Sequence, residues 1–188
     1  MDCVILVDNS NVFIEGQKLS ALQKGIVGAP GQRQPADPSW RINFAGLLAA
    51  LADGRDIRKA FLVGSRPPPK DEVWKMAQHN GFEVITHDRD ANNKEKAVDT
   101  ELVTQGTLLV ATTSPAVLVL ASGDRDFIPL IRVAQGRGWS TEMAAFSSAF
   151  SNYGEMATTV DKVRPLDTVF NTIGSHSFEW PTPTVESD

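Results

Sequence analysis

The chain has 188 residues, 41% of them hydrophobic and 22% charged, with a formal charge of −5. These values suit one soluble domain with a short appendage, long enough to bury a core without disulfides or a structural metal. The single cysteine, Cys3, rules out an internal disulfide and fits a reducing compartment, one Cys and three scattered His offer no zinc-ligand pairs, and the negative charge argues against polyanion binding by bulk charge alone.

The opening Met1-Asp2-Cys3-Val4-Ile5-Leu6-Val7-Asp8 carries an acid at position 2 and five apolar residues before the next. A secretory signal needs a basic start and a longer apolar run, and a membrane helix needs about 20 apolar residues. A cytoplasmic protein without a membrane partner is expected. Continuous apolar runs at 3–7, 60–63, 82–85 and 117–121 read as buried strands, with a weaker strand at 140–145. Between them, helical patterns cover about 11–22, 41–53, 71–79, 98–111 and 126–136, several stopped by glycine. This alternation predicts an α/β fold with a mainly parallel sheet and helices on both faces. Residues 25–39 read as an exposed loop, and Pro67-Pro68-Pro69 as a stiff turn. A domain over 1–173 is expected, with 174–188 as a flexible tail.

Ligands of an open parallel sheet bind beyond the carboxyl ends of its strands. Asp8-Asn9-Ser10-Asn11 follows the first strand, and Ser122-Gly123-Asp124-Arg125-Asp126-Phe127 follows the fourth. Asp99 opens the fourth helical pattern and starts its buried stripe, which continues through Leu102, Val103, Leu109 and Val110. Each acid also has a plainer reading as a helix cap. Four Asp at one edge, with Asn11 and Ser122 beside them, exceed what capping requires. Oxygen ligands without His or Cys suit Mg²⁺ or Mn²⁺.

Val7-Asp8-Asn9-Ser10-Asn11, Lys96-Ala97-Val98-Asp99 and Ser122-Gly123-Asp124-Arg125-Asp126-Phe127 together resemble the NYN domain, a branch of the PIN-like nucleases, and its LabA-like group in particular. The resemblance covers about residues 2–170. It implies a Rossmann-like, three-layer α/β/α sandwich with a Mg²⁺- or Mn²⁺-dependent ribonuclease site, in which Asp8, Asp99, Asp124 and Asp126 are the metal-binding, catalytic acids. Asn11 and Ser122 match positions that line the same pocket. One departure is Gln105, where LabA-like sequences often carry another Asp. The resemblance also admits a homodimer.

RNA, single-stranded for preference, is the expected partner. Residues 33–70 carry a charge of +4 within a chain of −5. Arg66, Lys70, Lys94, Lys96 and Arg125 fall in or beside strand-end loops, where they could track a phosphate backbone. Lys96 and Arg125 are the candidates nearest the acids. Trp40, Trp74, Trp139 and Trp180 could stack on bases, but the first three read more as core or interface residues and Trp180 falls in the tail; no catalytic role is assigned to His79, His87 or His176. Three rival families fail at particular residues. A haloacid-dehalogenase phosphatase needs Asp where Ser10 stands, an adhesion-type metal site needs Ser where Val12 stands, and no G-x-G-x-x-G follows the first strand. The remaining alternative keeps the fold but makes it an RNA-binding or regulatory domain with a degenerate metal site.

Overall fold

The computed structural model describes residues 1–28, 34–66, 71–88 and 95–179. In chain order the elements are β1 (Cys3–Asp8), α1 (Asn9–Gln23), β2 (Trp40–Ile42), α2 (Phe44–Ala52), β3 (Ile57–Arg66), α3 (Glu72–His79), β4 (Glu83–Asp88), α4 (Glu95–Thr112), β5 (Val117–Ala121), α5 (Ile128–Gly136), β6 (Ser140–Ala145), α6 (Glu155–Thr159), β7 (Lys162–Pro165), α7 (Phe170–Ile173) and β8 (Gly174–His176). Six strands form one parallel sheet in the order β4-β3-β1-β5-β6-β7. No helix among the described residues is long and apolar enough to cross a membrane.

The central strand shows why the fold has three layers. All six residues of β1 are buried, because both faces of the strand are covered. Cys3, Ile5 and Val7 point into a core with Val12 of α1, Leu47 of α2 and Trp74 of α3. Val4 and Leu6 point into the opposite core with Leu102 of α4, Leu130 of α5 and Met156 of α6. The α/β/α architecture expected from the alternating runs is therefore present, with β7 as an edge strand that the sequence reading misses. Burial also pushes the Cys3 thiol above its ordinary range, in keeping with inert packing.

Two stretches depart from expectation. Gly174–His176, assigned to the flexible tail, forms β8, which pairs antiparallel with β2. The indole of Trp40 is wholly buried, stacks on Phe170 at 5.8 Å and meets Phe146 edge-on at 6.3 Å. Gly174 lies so close to this indole that a Cβ there would collide with it. The loop before β2 is not simply exposed either. Asp37 is fully buried and accepts from Ser20 Oγ (2.6 Å) and Ser39 Oγ (2.6 Å), with Lys24 Nζ at 2.9 Å. His176 Nε2 lies 2.9 Å from Ser20 Oγ, tying β8 to this cluster. A Ser, a His and an Asp meet here, but Ser20 is buried and already donates to Asp37, so the group fastens the chain and offers no nucleophile.

The sheet's other edge is fastened by charge. Glu142 of β6 is buried and takes two hydrogen bonds from Arg55, both 2.9 Å, and one from Arg164 of β7 at 3.0 Å. Arg164 also donates to the carbonyls of Ala50 and Leu51 at the end of α2. Burial alone would raise the Glu142 carboxyl, but the two guanidiniums hold it below the ordinary glutamate range. Replacing it strands two cations, so Glu142→Gln is expected to lose about 2–3 kcal/mol near neutral pH, since the arginines keep some exposure. A group with a lowered folded pKa contributes its stability above the unfolded value and loses it as pH falls through the folded one. The gap between wild type and Glu142→Gln in urea unfolding should therefore be constant near neutrality and close below the ordinary glutamate pKa.

Candidate metal centre

The site forms where the chain reverses its direction of travel across the sheet. From β1 the chain moves to β3 and β4 on one side, then returns to β5 on the other, so the carboxyl ends of β1 and β5 flank a switch point. Val7 pairs with Ala121, which sets Asp8 beside Ser122. Asp8 is 7% exposed and N-caps α1, its Oδ1 accepting the Asn11 N–H at 3.2 Å. Its Oδ2 accepts the Ser122 hydroxyl at 3.2 Å, and Ser122 Oγ in turn accepts the Asp124 N–H at 3.2 Å. Asp124 Oδ1 accepts the Asp126 N–H at 2.9 Å, capping the 3₁₀ turn Arg125–Phe127 that leads into α5. The Asn11 side chain accepts from the Gly123 N–H at 3.4 Å.

The fourth acid arrives on α4. Asp99 does not open this helix, as the apolar stripe suggested; α4 starts at Glu95, and Asp99 lies more than a turn inside it. Capping therefore accounts for Asp8 and Asp124 but not for Asp99. The close approach of α4 to the sheet depends on Gly106, where a Cβ would come within 2.7 Å of both Leu6 of β1 and Leu130 of α5. That contact, with Val98 and Leu102 buried beside it, sets the helix height at which Asp99 reaches the sheet edge.

One carboxylate oxygen from each of Asp99, Asp124 and Asp126 lies within 4.8 Å of the others. Asp8 is outside that trio, yet it lines the same cleft of about 170 Å³ as Asp99 and Asp124. Burial raises the Asp8 carboxyl above its ordinary value, opposed by the bonds from Asn11 and Ser122, while the charge of Asp124 pushes it further up. Three carboxylates thus converge beside a fourth whose burial opposes its charge. Their all-oxygen donor set fits a hard divalent cation, and Asp99, Asp124 and Asp126 are the residues that would hold it.

The other expected site residues divide. Asn11 and Arg125 flank the acids and line an adjoining polar depression of about 460 Å³, with Ser151 and Glu155. Ser122, expected to contact substrate, is wholly buried; it orients Asp8 and Asp124 instead. Lys70 and Lys94, and the side chains of Arg66 and Lys96, lie outside the described residues. Gln105 lies half-buried on α4 and donates to Glu101 Oε1 at 2.8 Å. Phe13, Ile14 and Trp74, which motif reading passed over, line an apolar groove beside the acids.

An acid-lined sheet edge on a parallel α/β/α frame defines a domain of the PIN-like kind. The model of the NYN domain matches residues 5–166, and the chain belongs to that family. No curated protein matches the sequence. Among solved structures, a protein of unknown function from Vibrio parahaemolyticus has a similar fold, with a TM-score of 0.66 and 16% identity over 93% of this chain and 96% of the other.

If the acids hold a cation, Mn²⁺ at about a hundred times its dissociation constant should raise the melting temperature by roughly 5–10 °C, and Asp99→Asn should abolish the rise. In chelator, Asp124→Asn should melt at or above wild type, because Asn keeps the acceptor for Asp126 N–H while easing the repulsion on Asp8. A lower melting point in chelator would mean that the acids act as structural caps.

Proposed function

We propose that this NYN domain is a metal-dependent ribonuclease that hydrolyses phosphodiester bonds in single-stranded RNA, on the LabA-like branch of the family. The observation that carries the reading is the trio Asp99, Asp124 and Asp126, of which Asp99 is explained by no cap. A bound Mg²⁺ or Mn²⁺ would neutralise the scissile phosphate and lower the pKa of an attacking water. Asp99, Asp124 and Asp126 hold the charge in place. Asp8 completes the negative field from the floor of the cleft, and Ser122 fixes its orientation from below. Arg125, exposed beside Asp124, is placed to take the adjoining phosphate, and Asn11 orders the loop through Gly123.

The arrangement gives each acid a different sensitivity. Single substitutions Asp99→Asn and Asp124→Asn should lower Mn²⁺-dependent cleavage of a single-stranded RNA by about a hundredfold or more, the scale of several kcal/mol of charge stabilisation. Ser122→Ala should cost less, about tenfold, because it loosens Asp8 without removing a carboxylate. Unchanged cleavage by folded Asp99→Asn and Asp124→Asn would overturn the assignment. One observation favours a second reading, a non-catalytic RNA-binding domain. Gln105, engaged with Glu101, supplies no carboxylate, and RNA binding with Mn²⁺ but no cleavage at any RNA length would select that reading.

A further inference from the structure

The acidic cleft opens sideways into an apolar groove of about 380 Å³, and the two share Ser10, Ile14 and Ser65. Phe13, Phe44 and Trp74 supply aromatic lining. Around the opening, Ile14 of α1 is 46% exposed, and Val73 and Met76 of α3 are 42% and 56% exposed. Single exposed apolar residues are ordinary, but three from two helices facing one opening beside a cluster of acids mark a binding surface. Asn9 also lines the groove, and its Oδ1 is buried with no hydrogen-bond partner among the described residues.

Resting on the ribonuclease reading, we infer that this groove receives one unstacked nucleobase of the single-stranded RNA whose phosphate lies at the acids. The connection follows from polymer geometry: with a phosphate held over Asp99 and Asp124, the adjacent nucleotide reaches the groove through the side that Ser10 and Ile14 share with the cleft. The base presents a flat apolar face to the aromatic and aliphatic lining. Arg41, on the groove wall, supplies positive charge for the next phosphate. A base paired within a duplex must first unpair and flip out to reach such a groove, so the groove favours single strands. A folded protein partner would need an interface of about 1,000 Å² or more, larger than one groove provides.

The test uses the full chain with Ca²⁺ in place of Mn²⁺, a single-stranded RNA 12-mer carrying 4-thiouridine, and the variants Met76→Glu and Val73→Glu, each checked for an unchanged melting temperature. Both exposed substitutions should weaken RNA binding by about five- to tenfold, the scale of losing one stacked base. Photocrosslinks should map to α1 residues 9–14 and to α3. Unchanged RNA affinity in both variants, with crosslinks elsewhere and cleavage retained once Mn²⁺ is restored, would overturn the groove assignment and leave the ribonuclease standing. Loss of self-association in the variants, without loss of RNA affinity, would give the groove to a second copy of the chain. Failure of wild type to bind RNA at all would remove both readings together.

Discussion

Asp8 ends a strand whose two faces are both covered, so its carboxylate must be desolvated, and no lysine or arginine lies within ion-pairing distance among the described residues. Desolvating an unpaired charge is expensive, and the chain limits the cost with two hydrogen bonds. Those two bonds then organise what surrounds them. The Asn11 N–H fixes the start of α1, and the Ser122 hydroxyl, oriented toward Asp8, turns its own acceptor side to Asp124 N–H. Asp126 is held in turn by Asp124. The caps and the site are thus one structure: the bonds that satisfy helix starts also set the carboxylates at a common edge.

What this network does not do is neutralise charge. Every donor in it is a neutral N–H or O–H, so the carboxylates are oriented while their mutual repulsion persists, and Asp124 makes Asp8 harder to ionise. Asp99 adds to the problem from a separate element, brought near by the Gly106 contact. Packing that brings like charges together carries a cost that an added positive charge would relieve. Where the chain does need internal neutralisation, at Glu142, it places two arginines. At Glu142 the fold supplies its own counter-charges, whereas the hydrogen bonds linking Asp8, Asp124 and Asp126 come from neutral donors.

The frame was legible in the sequence because parallel strands covered on both faces are continuous apolar runs. Valine, isoleucine and leucine in Cys3–Val7 and Val117–Ala121 declared β1 and β5 directly. Lys162-Val163-Arg164-Pro165 hid β7, since an edge strand stabilised by Arg164 and Glu142 carries no apolar run. β8 hid for a similar reason: Gly174-Ser175-His176 is held by Trp40 and the Asp37 cluster, contacts distant in sequence. Among the acids, motif order pointed to Asp8, Asp99, Asp124 and Asp126; the structure brings the last three together and sets Asp8 in the same cleft but outside the trio. Ser122 was misassigned to substrate contact because a motif gives proximity without burial. The groove escaped notice because Ile14 and Met76 are ordinary helix residues until α1 and α3 are set side by side.

A chain of net charge −5 that is to bind RNA faces a general difficulty, because phosphate attraction normally supplies most of the affinity for nucleic acid. Some of its cations are committed elsewhere. Arg55 and Arg164 serve Glu142, Arg58 pairs with Asp2, and Arg132 pairs with Glu155. Among the described residues, Arg41 and Arg125, lining the depressions on either side of the acids, are better placed. On the proposed reading, a phosphate gripped at the acids through a divalent ion and a base buried against apolar side chains would add to their attraction. An RNA complex built this way would depend on salt weakly and on divalent ion and strandedness strongly. On the proposed reading, the apolar groove beside the carboxylates would add a contact that salt does not screen.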